Sequence, residues 1–172
     1  MPVFVALLRA VNVGGTGKLA MSDLSRLCEE AGFSAVKTYI QSGNVVFKSR
    51  LAEAKVKALL EKALAEAVGK PVGVLLRSGA ELDAVLRRNP FQKAPANRVI
   101  VLFLDDKPPR GALDDLAIPG REEVALDGRE VFIHYPDGMG QSKLKIPFAK
   151  IGTGRNLNTV AKLAAMARDA GA

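Results

Sequence analysis

The sequence predicts an α+β fold of two βαββαβ-type halves, with mixed or antiparallel sheets and covering helices. Three observations carry this. Residues 3–8 and 99–104 are apolar on both faces, as central strands are. Val56, Leu59, Leu60, Ala63, Leu64 and Ala67 fall at helical spacing. Ser42-Gly43-Asn44-Val45-Val46-Phe47 is faintly echoed by Asp127-Gly128-Arg129-Glu130-Val131-Phe132, as two repeated halves would require.

Strand 3–8 leads to a helix carrying Leu24, Leu27, Cys28 and Ala31, with Ser22 as N-cap and Gly32 as its stop. Strands 36–40 and 44–48 form a hairpin about Gln41-Ser42-Gly43. The long apolar-striped helix ends at Gly69 and Pro71, and strand 72–76 closes the first half. This order is the ferredoxin-like one. Ser78-Gly79-Ala80-Glu81 reads as a capping box for a helix that Asn89-Pro90 breaks. Strand 99–104 follows, then a short helix over 110–116. Strands 122–126 and 130–134 form a hairpin about Asp127-Gly128, and a last helix covers 156–168. The expected division is an N-terminal ferredoxin-like subdomain at 1–77, a helical connector at 78–97 and a C-terminal α+β subdomain at 98–172.

The 172 residues suffice for one domain or two small subdomains that fold without staples. The net charge is +7, and residues 138–172 hold six Lys or Arg against Asp169 alone. Basic character favours anionic partners, nucleic acid included, although it also serves solubility. Cys28 is the one cysteine and His134 the one histidine, so a disulfide within the chain and a Cys/His zinc cluster are both excluded. On its apolar helix face Cys28 reads as a packed thiol rather than a nucleophile. The opening Met1-Pro2-Val3-Phe4 lacks the pattern of a signal peptide, and no stretch matches a membrane span. The expectation is a cytoplasmic protein without a membrane partner.

Two stretches suit anion chemistry. The first is Arg9-Ala10-Val11-Asn12-Val13-Gly14-Gly15-Thr16-Gly17-Lys18, between a buried strand and a helix. Glycines let backbone N–H groups turn toward one point, and Arg9 and Lys18 add charge. It is not a Walker A loop: Asn12 stands where the first Gly belongs and Leu19 where Ser or Thr belongs. The simpler reading is a strand-to-helix turn with a surface lysine. The second runs from Gly138-Met139-Gly140-Gln141-Ser142-Lys143 to Arg155-Asn156 before the last helix. A helix N-terminus beside a guanidinium suits an anion, whereas a capping asparagine and a solvated arginine explain the same residues without one. Val3–Leu8 is similar to the first-strand motif of RNA-recognition modules, but its companion motif is missing and aromatics make up only 5% of the chain. Asp105-Asp106 reads as a solvated turn, and Tyr39, Tyr135 and His134 as weak acid–base candidates.

Leu7-Leu8-Arg9-Ala10-Val11-Asn12-Val13-Gly14-Gly15, the hairpin from Tyr39 to Phe47, and Arg155-Asn156-Leu157-Asn158-Thr159-Val160 together resemble the bacterial DUF1697 family. That family commonly shows RGINVGG and RNWNTV, from which Ala10, Val11 and Leu157 depart; without an aromatic at Leu157 a stacking role there is in doubt. The resemblance implies a two-part α+β fold with ferredoxin-like features and no particular activity. It adds weight to Arg9, Asn12, Gly14, Gly15, Ser42, Asn44, Arg155 and Asn156, for folding or for binding.

The leading expectation is a cytoplasmic protein that binds a phosphorylated or carboxylated small molecule, with or without a reaction. Arg9, Gly14, Gly15, Lys18, Lys143 and Arg155 would hold the anion, and Asn12, Ser42, Asn44 and Asn156 would orient it. No catalytic residue, metal ligand or cofactor is assigned. A nucleic-acid-binding module is the first alternative, and an interaction protein whose polar motifs hold its halves together is the second.

Overall fold

The computed structural model describes residues 1–9, 18–40 and 42–171. The chain divides into two compact units, Met1–Leu82 with Lys162–Ala172, and Asp83–Ala161.

The first unit contains β1 (Val3–Leu8), α1 (Met21–Glu30), β2 (Ser34–Tyr39), β3 (Asn44–Lys48), α2 (Glu53–Val68) and β4 (Val74–Ser78). Its sheet is antiparallel throughout, in the order β2-β3-β1-β4. The twice-apolar strand β1 is central and buried along its whole length. Alternation along the sheet sends Phe4, Ala6, Leu8, Val45, Phe47, Val74 and Leu76 to one face. There they pack with Leu24 and Cys28 of α1 and Val56, Leu60 and Leu64 of α2. Burying a side chain such as Phe47 supplies about 1.5–3 kcal/mol. Phe47 also stacks on Phe33 at 4.3 Å between ring centroids. Gly69 ends α2 in the left-handed region, φ 84°, donating its N–H to Ala65 O.

The second unit contains β5 (Val99–Phe103), β6 (Glu123–Asp127), β7 (Glu130–His134) and β8 (Thr153–Asn156). Helices α3 (Gly79–Arg88) and α4 (Leu157–Asp169) each carry a boundary between the units. This sheet is also wholly antiparallel, in the order β6-β7-β5-β8. Numbered within its own unit, each sheet has the order 2-3-1-4.

The likeness extends to register. Val5 of β1 pairs with Arg77 of β4, and Val101 of β5 pairs with Arg155 of β8. Both arginines are buried, and each donates Nη1–H to the carbonyl of the preceding residue at 2.9 Å. A helix cap follows each. Ser78 Oγ accepts from Glu81 N (3.1 Å) while Glu81 Oε1 accepts from Ser78 N (2.8 Å). Asn156 Oδ1 accepts from Thr159 N (2.9 Å). A strand arginine followed by a capping residue and a helix thus occurs once in each unit.

Of the mixed or antiparallel sheets expected, both are antiparallel. Three expectations are corrected. The second unit is not of the βαββαβ type, because turns and short 3₁₀ segments stand where that type has its two crossover helices, one of them expected at 110–116. The helix expected at 110–116 is a chain of turns bonded Ala112 N to Pro109 O, Asp114 N to Gly111 O and Leu116 N to Leu113 O. Gly111 sits there at φ 79°, and Pro108 and Pro109 precede it, which stops a helix from propagating. Ala20, without a side-chain bond, stands at the N-cap of α1, and Ser22 is already inside the helix. Strand β8 was not expected at all.

Candidate functional site

Arg9 emerges from the end of β1 between two neighbours. Leu8 N donates to Gly43 O, and Arg9 N donates to Gly73 O, each at 2.9 Å. The register Leu7↔Asn44 and Leu8↔Val74 therefore brings the 42–44 turn and Gly73 to the same end of the sheet as Arg9. A Cβ added to Gly73 would lie 3.1 Å from Arg9 Nε and 3.2 Å from Cζ. The half-buried guanidinium lies close over Gly73, where a side chain would require Arg9 to shift by a few tenths of an ångström.

Asn44 is fully buried, and its Nδ2 donates to Tyr39 O (2.9 Å) and to Ser42 Oγ (3.0 Å). It fastens a turn in which Ile40 takes the left-handed conformation, φ 49°. Beyond Gly73, Val74 O accepts from Lys57 Nζ (2.5 Å), and Val74 N donates to Glu61 Oε2 (3.1 Å). Arg9, Ser42 and Asn44, taken from two separate sequence motifs, thus meet at one sheet end. Lys18 is exposed where the chain enters α1. Asn12, Gly14 and Gly15 lie outside the described residues.

In the second unit Arg155 is buried on β8, with Nη1 donating to Thr153 Oγ1 at 2.6 Å as well as to Gly154 O. Burial pushes its guanidinium down to about 10, so it stays charged at neutral pH. Asn156 spends its carboxamide oxygen on the helix cap.

Lys143 lines a pocket of about 290 Å³ with Glu122, Tyr135, Asp137, Gln141 and Ser142. Ser142 Oγ donates to Glu122 Oε1 at 2.6 Å. That bond, and then the backbone N–H groups of Glu122 and Gly120, hold the Glu122 carboxyl below the ordinary carboxylate range. Burial first, and the Glu122 charge second, push the Tyr135 hydroxyl upward. Arg121 pairs with Asp137, with Nε donating to Oδ2 at 3.3 Å. An ionised carboxylate already occupies the donors here, which suits a ligand's hydroxyl or ammonium group better than a second anion. Sequence reading passed over Glu122 and Arg77. An arginine inside the apolar run Val74–Ser78 was the available signal for Arg77; nothing local marked Glu122. Among the described residues no group of three or more His, Cys, Asp or Glu is arranged to hold a metal ion.

The profile of the family described as "Protein of unknown function (DUF1697)" matches residues 1–132. The chain belongs to the DUF1697 family. The matched span includes Arg9, Ser42, Asn44 and Gly73, whereas Lys143, Arg155 and Asn156 lie beyond it. Among solved structures, this DUF1697 chain is similar to conserved bacterial protein SP0830 from Streptococcus pneumoniae. The TM-score is 0.81 at 25% identity, over 96% of this chain and 98% of that one. A comparison with curated proteins gave no match. Among the described residues of this DUF1697 protein, no helix is long and apolar enough to cross a membrane.

Proposed function

We propose that the first unit binds a small phosphate- or carboxylate-bearing molecule at the end of its sheet, with Arg9 as the holding charge. The observation that carries this reading is the half-buried Arg9 guanidinium laid across Gly73. A guanidinium fixed in orientation and partly out of water forms stronger charge-assisted, bidentate bonds to an anion than a solvated one. Ser42 and Lys18 supply a further hydroxyl and charge, and Asn44 holds the turn. The element order and the 2-3-1-4 sheet order support reading this unit as ferredoxin-like. We assign Arg155 and Asn156 to the fold, because one is buried against its own strand and the other caps a helix.

A nucleic-acid role is supported only by the net charge of +7. All nine aromatic side chains lie within the described residues and none is exposed, so no stacking platform supports it.

Calorimetric titration with inorganic phosphate and a panel of phosphorylated and carboxylated small molecules tests the proposal. Wild type is expected to bind at least one of them. Arg9→Ala is expected to weaken that binding by about tenfold or more, as loss of a charge-assisted bond does, and Arg9→Lys to weaken it less. Equal affinity in wild type and Arg9→Ala would overturn the proposal.

A further inference from the structure

Two oppositely charged groups of the second unit stand at one small pocket with unmatched hydrogen-bonding atoms. Residues 138–150 form an extended strap over the second sheet, with Leu144, Ile146 and Phe148 packed inward. The start of the strap, with Gly120, Glu122, Tyr135 and Asp137, lines the pocket of about 290 Å³. Ligand sites begin at about 300 Å³, so this one suits a molecule of few heavy atoms.

The first group is the Glu122 carboxylate. Its Oε1 accepts from the Ser142 hydroxyl, whereas its Oε2 is buried and accepts no hydrogen bond among the described residues. The amides of Gly120 and Glu122 favour its charge without bonding Oε2. A buried acceptor without a donor is costly. Gly120 keeps that oxygen uncovered, since a Cβ there would lie 3.0 Å from Oε2. The second group is Arg98, half-buried just before β5. Its guanidinium has no hydrogen bond or ion pair among the described residues. It lies over Gly138 of the pocket wall, where φ is 89° and a Cβ would come within 2.5 Å of Nη1. Two glycines of one wall thus each leave room beside an unmatched charge.

The signs identify the occupant. Oε2 takes a hydrogen-bond donor, best a cationic one, and the guanidinium takes a carboxylate. Asp137 is already matched by Arg121, and Lys143 adds a second positive charge to the wall. A simple amine would leave Arg98 unmatched, and a simple anion would leave Oε2 unmatched. We infer that this pocket binds a small zwitterionic amino acid, its ammonium donating to Glu122 Oε2 and its carboxylate accepting from Arg98. The inference is independent of Arg9, so the Arg9→Ala variant should bind this ligand like wild type.

The test is amide-shift titration of the full chain with glycine and, separately, with glycine betaine, acetate and methylammonium. Betaine keeps both charges but has no N–H donor. Glycine is expected to shift residues 120–122, 137–138 and 141–143 saturably. The three comparison ligands should each bind several-fold more weakly. Glu122→Gln, which keeps an acceptor for Ser142, and Arg98→Ala should each weaken glycine by about tenfold, as loss of a charge-assisted bond does. If Glu122→Gln loosens the strap, Arg98→Ala decides, because it leaves the Ser142 bond in place. Equal binding of glycine and any comparison ligand, unchanged glycine affinity in Arg98→Ala, or no saturable shift at millimolar glycine would each overturn the inference. The last would assign Oε2 to solvent.

Discussion

Cys28 shows how far a single residue can be read from its neighbours. Its spacing from Leu24 placed it on an apolar helix face, and it is completely buried, its thiol pushed up to about 12 chiefly by burial. Reaction with a thiol reagent should therefore be slow in the native state and fast on unfolding. Cys28→Ala should cost about 1 kcal/mol through a small cavity. Because the folded thiol holds its proton above the ordinary value of 9.0, its contribution is fully present below that pH. It is lost as pH rises toward about 12. Denaturant titrations across that window should show a shallower decline for Cys28→Ala than for wild type. Arg155 was legible as special but not as buried, since nothing in Thr153–Asn156 announces a strand. Arg77 and Arg155 make matching bonds in their own units. Alanine at either should lower stability by about 1–3 kcal/mol, the cost of stranding buried acceptors. A loss below about 0.5 kcal/mol at both positions, within the range of ordinary surface substitutions, would contradict that role.

Elements were legible where pattern and packing agree. The strongly apolar β1, β3, β5 and β7 were expected within a residue of their ends, and α2 was expected from its stripe and its stop at Gly69. Strand β8 was missed because its four residues, Thr-Gly-Arg-Asn, have low strand propensity and are held by pairing with β5. The helix expected at 110–116 was misjudged because local spacing there looked helical while proline and glycine nearby forbade propagation. The strap over the second sheet has no regular hydrogen-bond ladder of its own, so it depends on tethers. Ser142 to Glu122 and Arg121 to Asp137 both join the strap's start to 121–122. Glu122 titrates below the ordinary carboxylate value in the folded state. Its stabilising contribution is present above the unfolded value and is lost as pH falls through the lowered folded one. The protection factors of amides 138–150, with intrinsic exchange divided out, should fall in acid, and Ser142→Ala should lower them already at pH 7. Unchanged exchange in Ser142→Ala would remove this tether from the account.

At the scale of the whole molecule, the sequence showed two halves through two twice-apolar strands and a short hairpin echo. The common 2-3-1-4 order and the paired strand arginines were not legible, because sheet order and register arise from pairings far apart in the chain. The candidate site was partly legible for the same reason: glycine, asparagine and arginine marked unusual backbone, but tertiary pairing decided which of them meet. The basic surface makes one further forecast. Generic RNA or DNA should bind weakly at physiological salt, with affinity falling steeply as salt rises through counterion release. Tight, sequence-dependent RNA binding under those conditions would reverse the preference stated above.

The most direct measurement is an amide-shift titration with inorganic phosphate on wild type and Arg9→Ala. The account expects saturable shifts in wild type at Leu8, Arg9, Ser42, Gly43, Asn44 and Gly73. In Arg9→Ala these shifts should vanish while thermal stability stays close to that of wild type. Shifts that persist unchanged in Arg9→Ala, or their absence from wild type at millimolar phosphate, would contradict it.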